Sequence, residues 1–146
     1  MNSLCGLSAH RGEAGKRLYF ASIHAESIFP WTSVKRELPS GVPSDMVTNF
    51  ALPIGSNSLL WREKTTEVMA QMQAFKPDLV LVSAGFDAHQ SDNFGGGHMD
   101  LNTGDYFWIA DELVQRFPRV VSVLEGGYNI EVLSMCCTSH IQGLGL

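Results

Sequence analysis

The chain has 146 residues, a formal charge of −5 at pH 7 and 45% hydrophobic residues, which suits one globular domain with its own core. No basic patch marks a nucleic-acid surface, and no apolar run approaches the ~18 residues of a membrane span. Three cysteines, two of them adjacent as Cys136-Cys137, fit neither a disulfide framework nor a zinc-finger spacing. The stretch Met1–Leu7 is too short and uncharged for a secretory signal. An intracellular protein in a reducing compartment, cytoplasm or nucleus, is the expectation.

Residues 1–16 are small, polar and without period, and are expected to be poorly structured, so that the domain runs from 17 to 146. Leu18–Ile23 is the first strand candidate, followed by His24. Residues 33–48 hold Pro39, Gly41 and Pro43 and read as a surface loop. Asn49–Pro53 is a short extended piece, and Gly55 turns the chain into a helix that starts near Ser56 to Ser58 and runs to about Phe75. Leu60, Lys64, Val68, Met72 and Phe75 mark one face of this helix, widened by Leu59, Met69 and Ala70. Pro77 ends it.

Leu79–Val82 is consecutive, apolar and half β-branched, as in a parallel strand covered on both faces. The run stops at Ser83-Ala84-Gly85, and Phe86, Asp87 and His89 follow. In open α/β sheets ligands bind outside the carboxyl ends of strands. A carboxylate at Asp87 therefore suits a functional site, and it equally suits a turn or helix cap. Asn93–Leu101 is a Gly-rich loop in which His98 is a candidate ligand by residue type only, an exposed loop histidine being the plainer reading. Thr103 is a plausible N-cap for a helix whose buried stripe is Tyr106, Ile109, Ala110, Leu113, Val114 and Phe117, and Pro118 stops it. Val120–Leu124 is a second buried strand, ending in Glu125-Gly126-Gly127-Tyr128-Asn129. Asn129 can cap a last helix through Ile130, Val132, Leu133 and Met135, and nothing evident follows. The β-loop-α-β rhythm is that of a parallel sheet. No internal repeat is present.

Ser83-Ala84-Gly85-Phe86-Asp87-Ala88-His89, then Asp92, then Leu124-Glu125-Gly126-Gly127-Tyr128-Asn129, resembles the C-terminal half of the histone deacetylase family, which includes the acetylpolyamine amidohydrolases. The resemblance runs from about Leu18 to about Leu133, and its wording is nearer the class II and acetylpolyamine branch than the class I branch. It implies an α/β fold with a partial doubly wound parallel sheet of the arginase/deacetylase kind. It implies hydrolysis of an N-acetyl amide on lysine, in a histone or another protein, or on a polyamine, with a catalytic zinc.

By that resemblance Asp87 is a zinc ligand and Tyr128 is the hydroxyl donor that stabilises the developing oxyanion. Gly126 and Gly127 let the backbone pass close to the substrate tunnel, and Phe29 and Phe94 match its apolar walls. Trp31 and Ser33 replace glycines usual beside Phe29. Ser22 and Ile23 match positions beside a structural potassium ion in relatives. His89 is not assigned to metal, because relatives use the zinc Asp of this loop without that neighbour.

The family's remaining zinc ligands, in an Asp-x-His motif followed by His-Gly-Asn-Gly, and its His-His base pair are not found. Ala9-His10-Arg11-Gly12 is a chance similarity, with Ser8 where the metal Asp should stand. The chain therefore reads as the C-terminal portion of the domain, incomplete or inactive in isolation. A missing neighbour would leave an apolar sheet edge uncovered, open to self-association or a protein partner. The alternative is a non-catalytic, deacetylase-derived interaction fragment that uses this edge.

Overall fold

The computed structural model describes residues 5–11, 17–27, 46–92 and 98–146, with only the backbone described for 5–11 and 17. Five strands make one sheet: β1 (Cys5–Arg11), β2 (Arg17–Ala25), β3 (Val47–Leu52), β5 (Leu79–Ala84) and β7 (Val120–Leu124). Two short strands, β4 (Ser56–Asn57) and β6 (Met99–Asp100), pair with each other in parallel. The helices are α1 (Ser58–Phe75), α2 (Thr103–Arg116) and α3 (Ile130–Gly143).

The large sheet has the order β3-β2-β1-β5-β7. β2 pairs with β3 in parallel, and β5 with β7 in parallel, with Val80 opposite Val120 and Ala84 opposite Leu124. Between these pairs lies β1, antiparallel to both neighbours. Strand β1, over Cys5–Arg11, lies inside the segment expected to be poorly structured, and the expected parallel pairing holds between β2 and β3 and between β5 and β7. A hairpin partner supplied by β2 and a second edge supplied by β5 order a stretch with no period of its own, because strand pairing is decided by neighbours.

Side chains alternate across a strand, and residues paired across a parallel ladder share a face. Tyr19, Ala21, Ile23 and Ala25 of β2 and Val80, Val82 and Ala84 of β5 are buried on one face. All three helices lie over that face. The Tyr19 ring packs on Phe75 of α1 with centroids 5.7 Å apart. Trp61 of α1, Ile109 of α2 and His140 of α3 gather with Ile23, Val82 and Ala84. The opposite face carries Leu18, Phe20, Leu81, Val121 and Val123, all exposed. The described helices lie on one side of the sheet. Against the expectation of strands buried on both faces, Val121, Val123 and Leu124 of β7 and Leu81 of β5 are exposed.

Helix α1 begins at the cap Asn57, whose side chain accepts the Leu60 N–H, and ends at Lys76 in the left-handed region, ahead of Pro77. Its buried face is Trp61, Thr65, Val68, Met69 and Met72, rotated from the expected stripe. Leu59 is exposed, and Lys64 reaches Glu67 and Glu63 at the surface. Thr65 can be buried because its hydroxyl donates to the Trp61 carbonyl at 2.7 Å. Outside the core, the Tyr19 hydroxyl meets Thr48 Oγ1 at 2.6 Å and Gln71 Oε1 at 2.8 Å, tying β2 and β3 to α1.

The N-cap of α2 is Asn102 rather than Thr103, in a capping box with Asp105 at its third position. The expected stripe of α2 is buried except Val114, which is exposed. Helix α3 is capped by Asn129 as expected but continues past Met135 to Gly143 and packs closely on α2. A Cβ at Gly143 would come within 2.4 Å of the Phe107 carbonyl oxygen and 2.8 Å of Ala110 Cβ. Gly143→Ala must therefore push α3 away from α2. The expected loss is about 1–3 kcal/mol, the usual cost of overpacking, read by urea unfolding.

His140 of α3 is buried against the sheet, with Ser122 Oγ at 2.8 Å from Nε2 and the Tyr106 carbonyl at 3.3 Å from Nδ1. A carbonyl only accepts, so Nδ1 carries the proton and Nε2 accepts from the serine. One neutral tautomer satisfies both contacts. Burial pushes the imidazole below its ordinary value of 6.5, the Tyr106 carbonyl opposing in part. The unfolded chain thus binds this proton first as pH falls, so stability is full above about 6.5 and declines as pH drops from there through the folded value. Urea midpoints measured across pH 4–8 are expected to fall on the acid side, less steeply in His140→Gln.

Candidate active site

The site is built where β5 and β7 end side by side. Ala84 and Leu124 close the parallel ladder, and the Glu125 N–H still donates to the Ala84 carbonyl at 2.9 Å. Beyond that point the two strands run into their Gly-containing loops. The Phe86 N–H donates to the Gly126 carbonyl at 3.2 Å, holding the loops against each other. Phe86 is locked from beneath: its ring stacks edge-on against Tyr106 at 5.0 Å, and the Tyr106 hydroxyl donates to its carbonyl at 3.1 Å. Asp87 therefore leaves a fixed backbone.

Asp87 is 3% exposed. Gly126 passes directly over its carboxylate: a Cβ there would lie 3.2 Å from Oδ1 and 3.3 Å from Cγ and Oδ2. Gly126 also has φ +119°, so a side chain at this position is opposed by backbone and by space alike. Gly127, at φ +115°, would drive a Cβ to 2.9 Å from Leu133 Cδ1 and 3.1 Å from Phe86 Cβ. Small residues are thus required where this loop crosses Asp87.

Tyr128 follows, 37% exposed, at the rim of the same cluster. Partial burial raises its phenol above the ordinary value of 10.0, and the charges of Asp87 and Asp92 raise it further. The group is consequently a protonated donor throughout the neutral range. Asp92 is buried, and its Oδ2 accepts the Tyr128 N–H at 2.6 Å and the Asn129 N–H at 3.1 Å. Sequence reading placed Asp92 in the motif without a role. Its partners lie 36 and 37 residues away, a pairing that no local spacing announces.

The structure thus brings together Asp87, Gly126, Gly127 and Tyr128. Phe29 and Phe94 lie outside the described residues. His89 is buried and turned inward: its Nδ1 accepts the Ser91 N–H at 3.1 Å and Nε2 faces Thr103 Oγ1 at 3.4 Å. Burial lowers its basicity, against the opposing charges of Asp92 and Asp105. Ser22 Oγ lies 3.0 Å from His24 Nδ1. His98 is half-buried before β6, where its carbonyl accepts the Gly55 N–H.

A catalytic zinc takes three protein ligands and leaves one position open. Among the described residues no three His, Cys, Asp or Glu side chains come together to hold a metal ion. The described residues offer Asp87 at the right kind of place, but they do not by themselves fit a complete zinc site.

Residues 9–144 match the family described as the histone deacetylase domain. The chain belongs to the histone deacetylase family. The match begins inside β1, eight residues ahead of the boundary expected at 17. Among similar proteins, histone deacetylase 14, chloroplastic, of Arabidopsis thaliana is 32% identical over 133 residues, covering 87% of this chain and 31% of the relative. Histone deacetylase 10, chloroplastic, of Oryza sativa subsp. japonica is 36% identical over 123 residues, covering 80% and 27%. The crystal structure of acetylpolyamine aminohydrolase from Burkholderia pseudomallei superposes with TM-score 0.74 at 26% identity, covering 86% of this chain and 37% of that one. This deacetylase-family chain therefore spans about a third of the length of the relatives it matches. The comparisons support the deacetylase fold over the partial domain expected from the motifs. No described helix is long and apolar enough to cross a membrane.

Proposed function

We propose that this chain carries the C-terminal part of a zinc-dependent deacetylase site, acting on an N-acetyl amide of lysine, in a histone or another protein, or of a polyamine. The observation that supports it most is the convergence of the buried Asp87 carboxylate, the Gly126 backbone laid over it and the Tyr128 phenol at its rim. In amide hydrolysis, water adds to the carbonyl carbon, negative charge grows on the carbonyl oxygen, and the C–N bond breaks to give acetate and amine. Tyr128 supplies a neutral donor for that oxygen. Asp87 would supply one metal ligand, and the family's other ligand motifs are not found in this sequence. When bound, zinc supplies Lewis acidity and an activated water. Asp87 is held for this role by the Phe86 anchor, and at Gly126 the backbone comes close to its carboxylate.

The test is zinc titration of the metal-free chain by calorimetry, with Asp87→Ala alongside, and acetate release from an acetyl-lysine peptide and an acetylated polyamine. Binding lost in Asp87→Ala, together with acetate release, supports the reading. Zinc binding indifferent to Asp87 sinks it for this chain.

A second reading is favoured by the exposed apolar side chains of β7, with Val123 59% exposed. It is an interaction protein that covers this edge with a partner or a second copy. Sedimentation of the chain as a concentration-independent monomer would count against the second copy.

A further inference from the structure

The Gly126-Gly127 pair frees the backbone just ahead of Tyr128 and gives no direction to the phenol that follows. Something outside the loop must set it. We infer that Asp92 is the positioning residue of this site: its buried carboxylate grips the Tyr128 and Asn129 amides and so fixes the tyrosine relative to Asp87. The inference rests on the reading of Tyr128 as the oxyanion donor and adds what orients it.

The grip is made by one oxygen, Oδ2, which accepts both consecutive N–H groups, at 2.6 and 3.1 Å. Asp92 is 1% exposed, so these are charge-assisted bonds shielded from water. The carboxylate is itself braced. The Asp92 N–H donates to the His89 carbonyl at 2.8 Å, and the His89 N–H to the Phe86 carbonyl at 3.3 Å. These turns connect Asp92 to the same segment that carries Asp87. Asn129 closes the clasp from the other side, its Nδ2 donating to the Ser91 carbonyl at 2.9 Å. The two loops are thus joined between Asp92 and Tyr128 as well as between Phe86 and Gly126. The same carboxylate stands near the first turn of α3, where negative charge is favourable. A helix-capping role alone is therefore the rival account.

Amide hydrogen exchange on the whole chain separates the two. In the wild type the Tyr128 and Asn129 amides are expected to be protected although they lie in a loop. In Asp92→Ala they should exchange about 10- to 100-fold faster, as expected for loss of a bond to a charged acceptor, while amides of α3 beyond Val132 and of β5 keep their protection. Asp92→Asn, which retains an oxygen acceptor and serves if the alanine variant folds poorly, should restore much of the protection. Unchanged exchange at Tyr128 in Asp92→Ala would overturn the inference. Loss of protection along α3 in step with Tyr128 would also overturn it, leaving a helix cap.

Kinetics give the second readout. Asp92→Ala should lower kcat with little change in KM, and should cost nothing further when Tyr128 is already Phe, since the two act through one group. Full additivity of the two substitutions would overturn the positioning role. A wild-type chain that binds zinc nowhere and releases no acetate would defeat the proposal that this chain is an enzyme by itself, and the exchange pattern would still decide what Asp92 holds.

Discussion

Tyr128→Phe is expected to lower acetate release by about 10²–10³-fold, mostly in kcat, the loss typical of one oxyanion donor, ~2.7–4 kcal/mol. In the proposed role the hydroxyl of Tyr128 meets growing charge, so its removal would cost more in the transition state than in the substrate complex. KM should therefore move little. The folded chain should scarcely notice: the side chain is 37% exposed and the backbone N–H that Asp92 holds is retained. The decisive comparison is kcat and KM on an acetyl-lysine peptide beside thermal midpoints for both proteins. A rate within twofold of wild type would remove Tyr128 from the chemistry. A parallel fall in midpoint would show instead that the ring supports the loop. The phenol is held above its ordinary value by burial first and then by Asp87 and Asp92, so activity should not decline through its ionisation on moderate alkalinisation.

What the sequence makes legible is what local chemistry decides. Leu79–Val82 and Val120–Leu124 are runs too apolar to be anything but strands or buried helix, and Pro, Gly and Asn bound them. Asp87 and Tyr128 stand at fixed offsets past the ends of those strands, and parallel pairing of β5 with β7 brings their loops together. Less legible is whatever depends on a distant partner. β1 has no period because its neighbours, β2 and β5, impose its conformation. Trp61 and Thr65 were not in the expected stripe of α1, since a threonine is buried cheaply only once its hydroxyl finds the Trp61 carbonyl. The end of α3 is hidden by Thr138, Ser139 and His140, polar residues that nonetheless bond within the fold: Thr138 to the Ser134 carbonyl, Ser139 to the Thr103 carbonyl and His140 to Ser122. Asp92 belongs to the same class. Its place in a motif is visible, and its bond across 36 residues is not.

Asp105→Ala is expected to be the most destabilising of the substitutions considered, by about 2–4 kcal/mol, because it removes a cap and a buried charged acceptor together. Asp105 is fully buried. Its Oδ2 accepts the Ser58 hydroxyl at 2.6 Å and the Asn102 N–H at 2.8 Å, while Oδ1 accepts Arg62 Nε at 2.7 Å. One carboxylate thus joins the first turn of α1 to the first turn of α2. The Arg62 side chain is 37% exposed and can rehydrate when abandoned, which keeps the loss below that of a wholly buried pair. Its guanidinium also lies over the Trp108 ring at 5.0 Å, a contact that survives in part. Asp105→Asn keeps one acceptor and should lose roughly half as much, and urea unfolding of both variants checks the order. A loss under about 1 kcal/mol for the alanine variant would mean water replaces all three bonds. The consequence reaches the site because α2 carries Tyr106, whose hydroxyl holds the Phe86 carbonyl one residue before Asp87. Loosening the start of α2 loosens that anchor. Under the proposed function, any zinc affinity that depends on Asp87 should therefore weaken in Asp105→Ala under conditions where the chain is still folded.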